Sequence, residues 1–335
     1  MGGCGSLQGG KSNPGGFAQA LVICRHSERR DQVDPTYKDT DEFRKWPFDT
    51  PLTEAGIKLA YEVGLEMAEL HKTAKFAAVV SSPYRRCMQT TAQVVKVLGI
   101  PVILDQEVGE VWDKDMPSKI PPHRSPKELQ KMTKSLGMTV KNPTLPEGGY
   151  KLMGKQPRWP EITKDGHQRC LTRVEHYIEE SEKTGQNFII ITHAPAVAAC
   201  LDIFQHGFVD IEKLEYCARV IATRKVDEQR VKNEVAMKHS VSMSVFAQQW
   251  DVDCKGVNYH INIEAEEEDH KKTLQDTEAM RRARLGRNTQ SDEVLSEIIG
   301  DMWQESGSGK GKNAKVDPKE KNSKEKKNTN DKSRA

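Results

Sequence analysis

Residues 20–30 read ALVICRHSERR: five apolar residues, then an abrupt discharge of charge through Arg25, His26, Ser27, Glu28, Arg29 and Arg30. A short, unbroken apolar run bounded by polar residues is the pattern of a strand buried on both faces. The same format recurs along the chain. FAAVVS at 76–81 runs into SPYRRCMQT, NFIIIT at 187–192 runs into HAP, and PVIL at 101–104 runs into DQEVGEVW. The spacing predicts strands at 19–25, 76–81, 101–104 and 187–192. Helical periodicity fills the gaps between them, from Thr53 through residue 71, over 83–98 with Gly99 as the stop, over 166–183, and after Pro195. In the first helix the apolar face is Ile57, Ala60, Tyr61, Gly64, Leu65 and Ala68. Strands separated by helices predict an α/β fold: a three-layer α/β/α sandwich around a mainly parallel central sheet.

Composition bounds what surrounds this sheet. Of 335 residues 30% are charged and only 36% hydrophobic, so part of the length is solvated rather than core. Lys and Arg number 51 against 49 Asp and Glu, a formal net charge of +2 that offers no general attraction for nucleic acid. The seven cysteines show no paired metal-ligand spacing, so neither a zinc site nor a disulfide framework is indicated and reduced thiols are expected. No cofactor is assigned. No apolar run approaches the roughly 18 residues of a membrane span. FAQALVIC passes straight into RHSERR without a cleavage site, so no signal peptide is expected and the protein is assigned to the cytoplasm.

The chain divides by composition into a flexible leader at 1–17, a domain at 18–263 and a charged, largely disordered tail at 264–335. Within the domain, residues 113–164 are rich in Pro, Gly and Lys and read as an inserted lid with one short helix near 126–136. The tail holds one amphipathic stretch, SDEVLSEIIGDMWQE at 291–305, which packs on the domain or meets a protein partner. MGGCGS at the start fits an acylation pattern, with Gly2 as myristate acceptor, Ser6 at the required place and Cys4 as a palmitoylation site. Two acyl chains give stable anchoring where one gives only marginal binding, so tethering to the cytosolic face of a membrane is expected.

The chemistry lies at the strand ends. In an open α/β sheet, ligands bind beyond the carboxyl ends of the strands. Here those ends carry His26 with Arg25, Arg86 in SSPYRRCMQT, Glu110, and His193 in THAP. Taken singly, His26 is an ordinary loop histidine and Arg86 a solvated helix residue; their convergence is what points to phosphoryl chemistry. A neutral imidazole is a competent nucleophile, and two guanidiniums hold a tetrahedral dianion while offsetting its charge. His26 is therefore the candidate nucleophile, with Arg25, Arg86 and His193 as the phosphate pocket. Glu110 is the acid that protonates the leaving oxygen and then the base that activates water. Ser82 is expected to cap the helix that Pro83 opens, aiming its N-terminus at the anion. Ser27 and Arg29 are further candidates for substrate contact, although Arg29 is equally placed to pair with Asp31 or Asp34.

These motifs resemble the histidine phosphatase superfamily, the phosphoglycerate mutase-like fold. Arg25, His26 and Ser27 match its opening R-H-G; Ser82, Pro83, Arg86, Gln89 and Thr90 match S-P-x-x-R-x-x-Q-T. Thr192, His193 and Ala194 match the late T-H-G, and PLTEAG at 51–56 is similar to the turn before its first helix. Within the family the chain looks most like the branch of the suppressor of T-cell receptor signalling proteins. The resemblance implies a transient phosphohistidine on His26, hydrolysis by water and no metal. The implied activity is that of a phosphomonoester hydrolase acting on phosphotyrosine protein or a small phosphorylated metabolite. A phosphoglycerate mutase and a catalytically silent, membrane-tethered phosphate-binding scaffold are the alternatives. Ser27 and Ala194 replace family glycines, and if either position needs positive φ the replacement costs on the order of 1 kcal/mol.

Overall fold

The computed structural model describes residues 17–112, 124–158, 160–205, 208–226 and 250–262. The acylation motif with Gly2 and Cys4, and the tail with its amphipathic stretch, lie outside the described residues. Among the described residues six strands form one sheet in the order β3-β2-β4-β1-β5-β6. β1 (Phe17–Arg25), β2 (Phe76–Ser81), β3 (Val102–Leu104) and β4 (Asn187–Thr192) are mutually parallel, while β5 (Phe208–Val226) and β6 (Asp251–Asn262) add an antiparallel edge. This is the mixed, mostly parallel α/β/α sandwich that the alternation of strands and helices predicts.

Successive strand residues face opposite ways, and here both faces are covered. Ala20, Val22 and Cys24 of β1 pack toward helices α3 (Glu54–Ala74) and α4 (Arg85–Leu98). Leu21 and Ile23 pack toward α6 (Thr163–Thr184) and α7 (Ala194–Phe204). The apolar run at 20–24 is thus a central strand, and all five of its residues are buried. Between β1 and α3 come the short helices α1 (Arg30–Val33) and α2 (Asp41–Lys45). α3 starts as expected: the Thr53 hydroxyl accepts from Gly56 N–H at 2.8 Å. Gly56 is required by close approach, because a Cβ there would stand 2.7 Å from the Glu28 carbonyl oxygen. Its buried face is Gly56, Ala60, Val63, Gly64, Met67 and Ala74, whereas Tyr61 and Leu65, assigned inward from the sequence, are exposed.

Residues 113–123 of the insertion lie outside the described residues. The segment from Arg124 onward opens α5 (Pro126–Ser135) with a Ser125–Glu128 capping box and then runs along the edge strand. Val102 N–H donates to Thr139, Lys141 N–H to Val102, and the Asn142 side chain bonds both N–H and C=O of Leu104. Behind β3, the fully buried Asp105 binds Arg173 and Tyr177, each at 2.6 Å. This network ties α6 to the sheet and gives Arg173 a structural role. No helix among the described residues is long and apolar enough to cross a membrane.

Candidate active site

The candidate pocket residues stand at the carboxyl edge of the parallel strands. His26 follows β1, and its N–H donates to the Thr192 carbonyl at 2.8 Å, so the β1–β4 pairing continues one residue beyond Arg25. This register sets His26 beside His193, with ring centroids 5.4 Å apart. His193 caps α7 and Arg86 lies in the first turn of α4, so the positive ends of two helices meet the same pocket.

Arg86 is the hub. Its fully buried guanidinium donates to Glu110 Oε2 at 2.9 Å, to the Phe48 carbonyl at 2.8 Å and toward His193 Nδ1 at 3.0 Å. Glu110 Oε2 also lies 3.2 Å from His193 Nδ1. The Glu110 carboxylate supplies the negative charge that faces Arg86. Burial alone would raise the Glu110 pKa, but His193, Arg86 and His26 outweigh it and hold the carboxyl well below its ordinary range. Burial pushes His193 down to about 4, with Glu110 opposing and Arg86 reinforcing, so its ring is neutral at pH 7.

His26 has a defined tautomer. Its Nδ1 lies 2.8 Å from the carbonyl oxygen of Ser27, which can only accept, so Nδ1 carries the proton and Nε2 keeps its lone pair. Burial first, then the charges of Arg86 and His193, set its pKa well below 6.5. Three buried polar atoms have no hydrogen-bond partner among the described residues around this centre: Arg25 Nε, Arg86 Nε and Ser27 Oγ. Unpaired buried donors are costly, and a tetrahedral oxyanion would satisfy them.

One ligand atom from each of His26, Glu110 and His193 falls within 4.8 Å of the others, a spacing that by itself also suits a metal ion. Arg86 bonds two of these three residues, so a cation there would face a fixed guanidinium charge. The donor set fits an anion instead.

One expectation changes, and the structure bears on two that the sequence leaves open. α4 begins at Arg85 and not at Pro83, because the Ser82 hydroxyl lies 2.9 Å from His193 Nε2 and is not available as a helix cap. The first helical N–H, from Arg85, is taken by the Asp49 carboxylate. Arg29 commits Nε and Nη2 to Asp31 at 3.0 and 2.6 Å, the ion pair rather than a free substrate contact. Neither Ser27 nor Ala194 has positive φ; among the described non-glycine residues only Lys75 and Cys217 do. The glycine replacements therefore carry no backbone penalty, and Ser27 lies fully buried with its N–H on Thr90.

The sequence reading missed what β5 contributes. Tyr216 lies with its ring 4.7 Å from the Arg25 guanidinium carbon and 6.5 Å from the His26 ring, and the Leu214 carbonyl accepts from Arg25 Nη1. No motif marks these residues, since they act through strand geometry.

Fold and site together define an α/β domain with an oxyanion pocket built around a neutral histidine. Residues 21–138 match the family model of the histidine phosphatase superfamily, branch 1. That stretch holds Arg25, His26, Arg86 and Glu110, and the structure sets His193, which lies beyond it, beside them. The ecdysone phosphate phosphatase from Bombix mori, solved with tungstate, is 19% identical with a TM-score of 0.50, covering 73% of this chain and 95% of that one. A mycobacterial glucosyl-3-phosphoglycerate phosphatase is 13% identical with a TM-score of 0.39, covering 72% of this chain and 100% of that one. In sequence, the 55 kDa subunit of transcription factor tau from Saccharomyces cerevisiae is 31% identical over 101 residues, which are 30% of this chain and 22% of that protein. The match thus spans about a fifth of that relative's length.

Proposed function

We propose that the protein is a metal-independent phosphatase that hydrolyses phosphomonoesters through a phosphohistidine on His26. The observation that carries this reading is the His26 tautomer: Nδ1–H is spent on the Ser27 carbonyl and Nε2 is free, beside two guanidiniums with unpaired Nε donors. Nε2 attacks phosphorus and the bond to the leaving oxygen breaks, with that oxygen taking a proton from Glu110. The Glu110 carboxylate then removes a proton from water, whose oxygen attacks phosphorus and breaks the P–N bond. His193 and Arg86 favour the ionised form of Glu110, so its role as acid depends on the arriving phosphoryl charge, which draws Arg86 away and raises its proton affinity.

The pH dependence follows with a definite sign. Activity requires neutral His26, and a depressed pKa keeps the ring neutral to lower pH than an ordinary imidazole. With p-nitrophenyl phosphate, kcat/KM should hold or rise as pH falls from 7.5 to 5.5; a decline centred at the ordinary value of 6.5 counts against this environment.

The substrate class we infer is phosphotyrosine protein or a small phosphorylated metabolite. Side-by-side assay of p-nitrophenyl phosphate, a phosphotyrosine peptide and phosphoglycerate tests it. Transfer between glycerate positions instead of release of phosphate supports the mutase, and turnover of none of them supports the silent scaffold.

We further propose membrane tethering through Gly2 and Cys4, supported by the MGGCGS pattern alone. Gly2→Ala should move the protein from the membrane pellet to the supernatant of a cell lysate. An unchanged pellet fraction rules out myristate as the anchor.

A further inference from the structure

The guanidinium of Arg25 reaches the pocket from the last residue of β1, and what holds it comes from β5. β5 runs antiparallel to β1 as far as the Cys24–Arg219 pair, and its pairing with β6 shifts register between Leu214 and Arg219. Inside that irregularity Cys217 adopts φ 56°, a left-handed conformation uncommon for a residue with a Cβ, and its N–H bonds the His26 carbonyl at 3.3 Å. Beyond this turn the strand presents two groups to one side chain. The Leu214 carbonyl accepts from Arg25 Nη1, and the Tyr216 ring lies 4.7 Å from its central carbon. The Tyr216 hydroxyl donates to the exposed Gln32 side chain at the far end of the ring. A non-glycine residue held in an unfavourable conformation beside a reactive centre points to a functional demand on that turn.

We propose that Tyr216 is a positioning residue: with the Leu214 carbonyl, it clamps Arg25 by its ring face so that the guanidinium meets the phosphoryl oxygens. The inference rests on the reading of Arg25 as an oxyanion ligand. A guanidinium over an aromatic face loses rotational freedom without using up its donors, and Arg25 Nε remains unpaired. A backbone carbonyl alone would fix one nitrogen and leave the plane free to turn.

The test is orthovanadate binding by calorimetry on the full chain, which needs no turnover. Tyr216→Phe keeps the ring and should bind vanadate within about twofold of wild type, while Tyr216→Leu should weaken binding between about threefold and thirtyfold. In an Arg25→Ala background the leucine change should add less than about twofold, because the interaction it removes is already gone. Tyr216→Gln gives the same comparison if the leucine variant does not fold. Equal loss in both backgrounds, unchanged affinity in Tyr216→Leu, or a phenylalanine variant as weak as the leucine one each overturns the proposal, as does wild type that binds no vanadate. Vanadate binding without turnover of any phosphomonoester defeats the phosphatase reading and leaves the positioning role standing.

Discussion

His26→Ala lowers kcat for p-nitrophenyl phosphate by at least about 10⁴-fold in protein that is still folded. The expected size comes from the tautomer. With Nδ1–H held by the Ser27 carbonyl, Nε2 is the one atom of this side chain that can bond phosphorus. No neighbouring group can take its place. His193 faces Ser82, Arg86 and Glu110 with its ring nitrogens, and the Cys87 thiol, which touches the His193 ring, is pushed up to about 12 by burial. Some stability is lost with the buried ring and its bond to the Ser27 carbonyl, so rates are compared below the thermal midpoint of the variant. A variant with wild-type turnover, measured with initial rates on purified protein, removes His26 from the mechanism.

The second large effect is that of Arg86, which couples stability to chemistry. Arg86→Ala leaves the Glu110 carboxylate in a buried site without its guanidinium partner, a situation that costs about 3–5 kcal/mol. It also removes a preorganised donor to the phosphoryl group, worth at least about a hundredfold in kcat/KM. The two consequences separate in a double variant. Arg86→Gln combined with Glu110→Gln removes both charges and should regain much of the lost stability in urea unfolding, yet remain inactive. Arg86→Lys keeps the charge and loses the fork that reaches Phe48, Glu110 and His193 together, so it should fall between the two. If Arg86→Ala unfolds at the wild-type urea concentration, the buried pair is not holding this part of the fold.

Both expectations could be framed from residues legible in the sequence, for a physical reason. Strands buried on both faces leave unbroken apolar runs, so β2 and β4 are read to the residue and β1 within two, and their polar ends deliver His26, Arg86, Glu110 and His193 to one edge. Where side chains serve a partner distant in sequence, legibility fails. Ser82 looks like a cap but answers to His193, 111 residues away. β5 escaped notice because two of its arginines, Arg219 and Arg224, are buried in ion pairs with Glu66 and Glu182, and a strand that buries charge lacks apolar alternation. With β5 went Tyr216 and the clamp on Arg25. In α3 the helical period was right and its phase was partly wrong, since Tyr61 and Leu65 turn outward while Val63 and Met67 are buried.

The phosphoryl-enzyme itself is the most direct test of the account. Rapid quenching into base during turnover of a ³²P-labelled phosphomonoester, followed by digestion and mass spectrometry, reads where the phosphoryl group rests. An acid-labile, base-stable adduct is expected on the peptide containing His26, attached at Nε2 because Nδ1 is committed to Ser27. Turnover with no such adduct, or with the phosphoryl group on Nδ1 or on another residue, contradicts it.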